Sequence, residues 1–431
     1  MRIETPSGEL GEMSGPRLRE RLEALAKISD EAGALTRLYL SPAHRRAADL
    51  VRQWMEEAGM TSFIDGAGTV VGRYDGETSQ SPTLLLGSHI DTVRDAGCFD
   101  GTLGVAIAIA VVSRFAEAGL RLPFALEVLA FGDEEGVRFP TTLTGSRALA
   151  GTLGSDALGA RDADGITVRE ALTAFGCDPE DIPPAARDPR RVLGYLELHI
   201  EQGTRLEAED LPVGLVSGIS GAMRLSIEVE GTSGHAGTLA MDRRSDALCG
   251  AAEMVLAIEA RARALGDLLA TVGCIRVRSG AVNVVPGAAT FTLDVRAFDD
   301  ELRRSTLEAM LADAGDIAFR RGLRLRHRIE YDQATTRCDT RLLGFFSTAM
   351  ERRRLRPISL ASGAGHDGLA VAALCPIAML FVRCRGGISH HPAEEVANAD
   401  METAAVVLVD AIFEYASEHA ANQKIQVNTS L

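Results

Sequence analysis

The sequence has no long apolar run, no basic block and no apolar signal region at its start. Its longest strictly apolar stretch, Leu103–Val112, is about half of the ~20 residues that a membrane-spanning helix needs. Met1–Pro6 shows no apolar signal region, so we expect a soluble, cytoplasmic protein with no membrane partner. The formal net charge of −15 argues against a nucleic-acid partner as well.

Several familiar catalytic and binding motifs are also missing. The 7 cysteines lack any C-x-x-C spacing, which argues against both a disulfide framework and a thiolate zinc site. Neither H-E-x-x-H, G-x-S-x-G nor a P-loop occurs, so zincin proteases, serine hydrolases and P-loop enzymes are disfavoured. Gly363–Gly368 matches G-x-G-x-x-G, but no acidic ribose ligand follows at the required distance, so we expect no dinucleotide site there.

The chain is long enough for two or three domains and has an ordinary globular composition. Strand and helix patterns alternate in both terminal parts, which predicts an α/β fold with a mixed sheet covered on both faces. The middle part follows a β-α-β-β-α-β order, with one strand over Thr271–Arg278, and predicts an inserted ferredoxin-like unit. We therefore predict a discontinuous catalytic domain of residues 1–213 and 329–431, and an inserted domain of residues 214–328.

Histidines and carboxylates follow apolar runs at several places. These places are Gly87–Thr92, Phe99–Gly101, Asp133–Gly136, Leu196–Gly203 and Ser389–Glu394. Because ligands of such sheets bind beyond the carboxyl ends of the strands, we expect these clusters to meet at one edge. Three histidines and two carboxylates would give three protein ligands to each of two divalent metals if one carboxylate bridges.

Each cluster also has a simpler structural explanation. His89 and Asp91 point the same way on an extended segment, so Asp91 could accept the ring N–H of His89 without any metal. Asp100 and Gly101 could form an ordinary turn, and Asp133–Glu135 could be a solvated acidic loop. The occurrence of all these clusters at one sheet edge favours the metal site.

The motifs together resemble one enzyme group. With Gly234–Gly237, Asn283–Pro286 and Ser362–Asp367, they are similar to the allantoate amidohydrolases and N-carbamoyl-L-amino-acid hydrolases of the M20 metallopeptidase clan. The resemblance extends from about residue 20 to residue 415. It implies a catalytic domain with two divalent metals, zinc ahead of manganese or cobalt, and an inserted domain that forms a homodimer and a lid.

The resemblance also implies a role for each candidate residue at the metals. His89 and His199 would be terminal ligands of different metals, Asp100 would bridge them, and Glu135 and His390 would complete one site each. The neighbouring His391 could be confused with His390, which the Ser-His-x-Pro-x-Glu pattern favours. Two further residues have supporting roles: Glu134 as the unligated general base and Asp91 as the partner of a ligand histidine.

A second set of residues is expected to bind the substrate. By resemblance, Arg296 and Asn283 would hold a substrate carboxylate, and His235 would stabilise the developing oxyanion in the partner subunit's site. Gln202 and His366 would contact the ureido group. Without the resemblance, the more economical interpretation of Arg296 is a surface arginine paired with Asp294.

The implied reaction is hydrolysis of a linear ureido group on a small carboxylate-bearing molecule. Glu134 would take a proton from water and pass it to the leaving nitrogen, and the carbamoyl part would leave as carbon dioxide and ammonia. Allantoate, converted to ureidoglycine, is the expected substrate. N-carbamoyl-L-amino acids are the next alternative, followed by dipeptides and by a non-catalytic metal-binding role.

Cys98 departs from the pattern of this enzyme group. Its thiol could lie near Asp100 or face away.

Overall fold

The computed structural model of the protein describes residues 10–429, with the side chains of residues 10–422. Met1–Pro6, where we expected no secretory signal, lies outside these residues. Among the helices that are described, none combines the length and the apolar composition needed to cross a membrane.

The strands and helices are numbered here in chain order. The strands are β1 (Thr61–Ile64), β2 (Val70–Tyr74), β3 (Thr83–His89), β4 (Ala125–Phe131), β5 (Val192–Ile200), β6 (Val213–Ile219), β7 (Gly221–Glu230), β8 (Gly234–His235), β9 (Leu268–Thr271), β10 (Ile275–Val277), β11 (Val284–Val285), β12 (Ala288–Ala297), β13 (Arg324–Gln333), β14 (Thr336–Arg337), β15 (Ser359–Ser362) and β16 (Ile377–Val382). The α-helices are α1 (Gly15–Ala26), α2 (Pro42–Glu57), α3 (Thr102–Glu117), α4 (Thr144–Leu149), α5 (Val168–Phe175), α6 (Ile182–Ala185), α7 (Arg205–Ala208), α8 (Ala247–Leu265), α9 (Asp300–Arg320), α10 (Thr340–Arg352), α11 (Gly368–Val371) and α12 (Asn398–Thr429).

The larger unit is built on a nine-stranded mixed sheet in the order β1-β2-β4-β3-β5-β16-β6-β14, with β15 paired to β6. Strands β4, β3, β5 and β16 run parallel, whereas β2 and β6 pair antiparallel to this group on either side. Every residue of β3, β4 and β16 is buried, as expected for parallel strands covered on both faces. The predicted mixed α/β class is confirmed.

Helix α3 packs directly on this sheet, and its burial there explains its apolar sequence. Nearly all of its residues are buried, so it reads as apolar all round rather than amphipathic. Gly104 permits the close approach, because a Cβ at this position would overlap the carbonyl oxygen of Leu198 in β5. The helix begins right after Gly101, and this start holds the Asp100 loop against the ends of the parallel strands.

The register of the parallel strands brings their carboxyl ends to one edge. His89 at the end of β3 pairs with Phe131 at the end of β4, and His199 near the end of β5 pairs with Phe381 of β16. The loops that follow these strands therefore start side by side. They carry most of the candidate clusters.

The smaller unit begins after Ser217 and ends before Arg337. The boundaries predicted at residues 213/214 and 328/329 fall inside β6 and β13, which continue through those positions. The observed limits, between Ser217 and Gly218 and between Thr336 and Arg337, lie within β6 and β14.

The smaller unit consists of one antiparallel sheet and two long helices. The sheet has the order β10-β12-β7-β13, with β9 also paired to β12, and α8 and α9 pack on one face of it. The strand predicted over Thr271–Arg278 is split into β9 and β10 around Gly273, although both pieces pair with β12. A glycine inside a strand weakens it, which accounts for the interruption.

Candidate metal centre

Two buried histidines stand side by side at the ends of the neighbouring strands β3 and β5. The ring centroids of His89 and His199 are 5.8 Å apart, with an angle of 29° between the rings. Nδ1 of His89 donates to the carbonyl oxygen of Asp91 at 3.0 Å, and Nδ1 of His199 donates to that of Ile200 at 3.0 Å. A carbonyl can only accept, so each neutral ring keeps its proton on Nδ1 and leaves Nε2 as a ligand atom.

Asp100 presents one carboxylate oxygen to each side of the cluster. Its Oδ1 lies 3.0 Å from Nε2 of His199 and 3.5 Å from Nε2 of His89. Its Oδ2 lies 3.3 Å from Nε2 of His390, which is 3.6 Å from Oε2 of Glu135. Ligand atoms that share an ion with bonds of ~2.0–2.2 Å lie roughly 3–4 Å apart, so this spacing suits metal coordination.

The potential ligand atoms form three groups, two of which share Asp100. One group is His89, Asp100 and His199, a second is Asp100, Glu135 and His390, and a third is His89, Glu134 and Glu135, with the atoms of each group within 4.8 Å of one another. The first group places His89 and His199 together, which differs from the expectation that they serve different metals. The reason is topological, because β3 and β5 are adjacent parallel strands and their ends place both imidazoles at the same oxygen of Asp100.

The acidic turn after β4 separates its three carboxylates. Asp133 has a φ of 66° and turns away from the histidines, so that Oδ2 accepts hydrogen bonds from the hydroxyls of Thr141, at 2.6 Å, and Thr144. Burial raises the pKa of Asp133 to about 7. Glu134 and Glu135 alone face the cluster, and Oε2 of Glu134 lies 3.8 Å from Nε2 of His89.

Asp91 supports this turn in a way that the sequence did not predict. Its carboxylate accepts the backbone N–H groups of Glu134 and Glu135, at 3.2 and 3.3 Å. The expected hydrogen bond from the ring of His89 is absent, because the backbone carbonyl of Asp91 takes that proton and Oδ1 remains 3.8 Å away. Asp91 therefore fastens the end of β3 to the acidic turn.

The charges at the cluster favour bound cations. Burial raises the pKa of Glu134 well above its usual range, and burial together with Asp100 raises that of Glu135 to about 7. The hydrogen bond to Asp100 raises the pKa of His390 to about 9. Closely placed carboxylates resist ionisation unless positive charge lies among them, so the donor set fits divalent metal ions.

The Asp100 carboxylate is held by residues whose roles the sequence did not indicate. Nε2 of Gln202 donates to Oδ2 at 2.8 Å, and Oγ of Ser389 donates to the same oxygen at 2.7 Å. Glu394 accepts the backbone N–H of Asp100 at 3.0 Å. Gln202, expected on the substrate, thus contacts Asp100. The Ser-His-x-Pro-x-Glu pattern contained both Ser389 and Glu394, and it was the available signal for them.

A fully buried arginine was also missed. Arg37 donates from Nε to the carbonyl oxygen of Ile90 at 2.6 Å and from Nη1 to that of Leu25 at 2.9 Å. Burial lowers the pKa of Arg37 to about 10, whereas the charge of Asp91 acts to raise it. No local motif marks Arg37, because its partners lie in segments that only the fold brings together.

His366 lies behind the cluster and is completely buried. Its Nε2 is 2.7 Å from Oγ of Ser362, and its ring packs edge-on against His199 with centroids 4.4 Å apart. Burial lowers the pKa of His366 well below its usual range, so the ring is neutral. Within the described part of the chain, its Nδ1 has no hydrogen-bond partner.

Two adjacent candidates can be separated by their contacts. His390 reaches Asp100 and Glu135, whereas His391 is exposed and its Nδ1 accepts the backbone N–H of Ala393 at 3.1 Å.

Burial, followed by the charge of Glu394, raises the pKa of the Cys98 thiol to about 11. The thiol therefore stays protonated.

In the smaller unit, the short β8–β11 pair brings His235 and Asn283 together. His235 pairs with Val284, and the backbone N–H of Ala236 donates to the carbonyl oxygen of Asn283 at 2.9 Å. Nδ1 of His235 accepts the N–H of Gly237 at 3.1 Å, so in the neutral ring the proton lies on Nε2. The exposed His235 can thus act as a hydrogen-bond donor.

Arg296 lies on the face of β12 opposite the helices. Its guanidinium binds both oxygens of Asp294, at 2.8 and 3.0 Å. Arg224 donates to the same carboxylate at 3.0 Å. The pairing that the sequence alone favoured is therefore present, and in this structure the fork of Arg296 is engaged by Asp294.

Comparison with known proteins gives the same class of molecule as the fold and the cluster. The sequence profile of Peptidase family M20/M25/M40 matches residues 85–414. An N-carbamoyl-L-amino acid amidohydrolase of Geobacillus stearothermophilus is 40% identical over 405 residues, which cover 94% of this chain and 99% of the relative. Allantoate deiminase 1 of Glycine max is 39% identical over 412 residues, which cover 88% and 85%.

A solved structure agrees with these relatives. An amidase of the hydantoinase/carbamoylase family from Burkholderia multivorans superposes with a TM-score of 0.84 at 32% identity, covering 93% of this chain and 98% of that structure. The chain belongs to the M20/M25/M40 peptidase family. It is a hydrolase of carbon–nitrogen bonds.

Gly101→Ala should damage the cluster without touching a ligand. Gly101 has a φ of 67°, and a Cβ there would overlap the imidazole ring of His89. We expect at least a tenfold loss of zinc affinity, measured by equilibrium dialysis, because His89 must move away from Asp100. Gly119→Ala is the control, since Gly119 also has a positive φ, 61°, but lies in open space. Equal zinc affinity in Gly101→Ala and wild type would refute this explanation.

Proposed function

We propose that the protein hydrolyses a linear ureido group on a small carboxylate-bearing substrate, using two divalent metal ions. The observation that carries the proposal is the pair of ligand groups that share Asp100, with Glu134 beside them. His89 and His199 would hold one ion, and Glu135 and His390 the other. Bound there, zinc, manganese or cobalt ions would polarise the ureido carbonyl and lower the pKa of a water molecule.

Glu134 is proposed as the general base. It lies next to the first ligand group and is fixed by the hydrogen bond of its backbone N–H to Asp91. Water adds to the ureido carbon while Glu134 takes one of its protons and returns it to the leaving nitrogen. The carbon–nitrogen bond breaks, and the released carbamic acid splits into carbon dioxide and ammonia.

The remaining candidates are proposed to bind the substrate. His235 would donate Nε2–H to the developing oxyanion in the partner subunit's site, while Asn283 and Arg296 would bind the carboxylate. Gln202 donates to Asp100, so a contact with the ureido group would use its Oε1, which is buried without a partner in the described chain. His366 has an equally unpartnered Nδ1 for the same group.

Allantoate is the first candidate substrate, and N-carbamoyl-L-amino acids are the second. The stretches Ser362–Asp367 and Arg385–His390 resemble the allantoate branch, which favours the first. The relative from Geobacillus stearothermophilus, named for the second activity, is 40% identical to this chain. Both substrates share the ureido group and the carboxylate, so the metal ligands do not distinguish them.

A substrate panel tests the proposed activity. Purified protein supplied with zinc, manganese or cobalt should release ammonia from allantoate fastest and from N-carbamoyl-L-amino acids more slowly, as measured by an ammonia assay. Dipeptides should be inert, as measured by the release of free amino acids, because cleavage of a peptide bond yields no ammonia. Hydrolysis of dipeptides alone would overturn the ureido assignment, and no hydrolysis of any substrate would favour a non-catalytic metal-binding role.

The variant Glu134→Gln tests the proposed general base with the same substrates. It should retain both metals and lose about 10²- to 10⁴-fold in kcat, the usual contribution of general acid–base catalysis. Glu135→Gln removes a proposed ligand one residue away and should lower the metal content instead. Activity of Glu134→Gln close to that of wild type would remove Glu134 from this role.

Arg296→Ala should weaken the binding only of those substrates that carry the carboxylate. Loss of a bidentate charge-assisted contact costs about 1.5–3 kcal/mol, equivalent to roughly a 10- to 100-fold rise in KM. Arg224→Ala is the control, because Arg224 contacts Asp294 from the neighbouring strand β7. Steady-state kinetics with allantoate and with its amide analogue measure the difference. An equal loss on both compounds would exclude carboxylate binding by Arg296.

We further propose that the smaller unit is the ferredoxin-like dimerisation and lid domain. Its two helices pack on one face of an antiparallel sheet, and each exposes a large apolar side chain, Leu256 at 65% and Phe319 at 88%. Such exposure favours a protein partner, which we take to be a second copy. Sedimentation velocity should show a dimer for wild type and a monomer for Leu256→Glu with Phe319→Glu. A wild-type monomer would contradict the proposal.

A further inference from the structure

One buried carboxylate fastens the loop of Asp100 to the loop of His390. Oε1 of Glu394 accepts the backbone N–H groups of Phe99 at 2.6 Å and Asp100 at 3.0 Å. Glu394 is only 4% exposed, although it lies on a loop after the last strand of the sheet. The two loops are almost 300 residues apart in sequence, with separations of 295 and 294 residues for these bonds.

The packing around Glu394 leaves its carboxylate little freedom. A Cβ at Gly97 would overlap Cβ of Glu394 and would lie 2.6 Å from Oε1. Gly97 therefore provides the space in which the Glu394 side chain is seated. Two backbone donors on one oxygen and close contact on its flank hold the carboxylate in a single orientation.

The other oxygen of Glu394 reaches Asp100 through Ser389. Oγ of Ser389 lies 3.3 Å from Oε2 of Glu394 and 2.7 Å from Oδ2 of Asp100. Nε2 of Gln202 donates to both Ser389 Oγ, at 3.0 Å, and Asp100 Oδ2, at 2.8 Å. The one proton of the Ser389 hydroxyl goes to the nearer oxygen, Oδ2 of Asp100, so Glu394 fixes the backbone of Asp100 directly and contacts the hydroxyl oxygen that binds the Asp100 side chain.

This arrangement decides which way each oxygen of Asp100 faces. Oδ1 points to the two histidines of the sheet, and Oδ2 points to His390. A bridging carboxylate must keep one oxygen on each ion. Rotation about its Cβ–Cγ bond would tilt Oδ2 away from His390 and Glu135.

We propose that Glu394 is a positioning residue that orients Asp100 for the ion of the Asp100–Glu135–His390 group. Glu394 contacts no proposed ligand atom itself, and it acts through Ser389 and the backbone of Asp100. This inference rests on the metal sites of the proposed function and does not depend on the substrate. Hydrogen-bonding partners of a ligand commonly change metal affinity by about 10- to 100-fold.

Zinc binding to the full chain tests the inference. Equilibrium dialysis with metal analysis should show that Glu394→Ala binds one of two zinc ions about 10- to 100-fold more weakly and the other within a few-fold of wild type. Glu394→Gln should stay close to wild type, because Oε1 still accepts both N–H groups. Glu395→Ala is the matched control, since its carboxylate pairs with Arg19 at 2.7 Å and should leave both affinities unchanged.

Ser389→Ala tests the same connection by a second route. It should weaken the same ion as Glu394→Ala, and it carries the test if Glu394→Ala does not fold. Wild-type affinity for both ions in the two alanine variants would overturn the inference. Equal weakening of both ions with a lower melting temperature of the metal-free protein would also overturn it, because that result indicates a purely structural role.

The result separates this inference from the proposed function. A split in the two zinc affinities, together with no turnover of ureido compounds by wild type, would support Glu394 and refute the substrate. Unchanged zinc affinities in an enzyme that hydrolyses allantoate would refute the role of Glu394 and support the substrate. Failure of wild type to bind zinc would refute both.

Discussion

The sharing of one buried carboxylate, Asp100, between two sides of a cluster is the constraint on which the site depends. Three imidazoles approach its oxygens within 3.0–3.5 Å, and that approach requires the ends of β3 and β5 to be neighbours. Gly101 must lack a side chain so that the ring of His89 can approach. The start of α3 directly after this glycine keeps Asp100 at the sheet edge. The order of strands, one glycine and one helix start thus serve the same contact.

The same constraint explains why so many ionisable groups are buried around the cluster. Isolated buried charges are strongly unfavourable, and burial raises the pKa of Glu135 and of Glu394 to about 7. A protein stabilised by packing alone would have apolar residues in these positions. Carboxylates with perturbed pKa values at the sheet edge where ligands usually bind indicate a functional site, because bound cations would compensate the charge that the fold alone does not.

The sequence predicted the members of the cluster because strands of an α/β sheet end at a common edge. It did not predict how His89 and His199 divide around Asp100, since that depends on which strands are adjacent. The predicted hydrogen-bond partner of the His89 ring was wrong for a local reason. Asp91 offers both a backbone carbonyl and a side-chain carboxylate, and the sequence does not show which of them accepts the proton. Arg37 and Glu394 act on segments distant along the chain, so no motif spacing reveals their contacts.

The substrate recognition proposed for the smaller unit poses a different physical problem, because the guanidinium of Arg296 already binds a carboxylate. A substrate carboxylate would therefore share or replace Asp294, and the number of ionic contacts to Arg296 would change little. Arg224 also donates to Asp294, so this residue keeps a cationic partner if Arg296 turns to a substrate. The exchange avoids an unpaired charge, which is the usual penalty of breaking an ion pair. Selectivity for a carboxylate would then arise from the geometry of the guanidinium fork rather than from a net gain of charge.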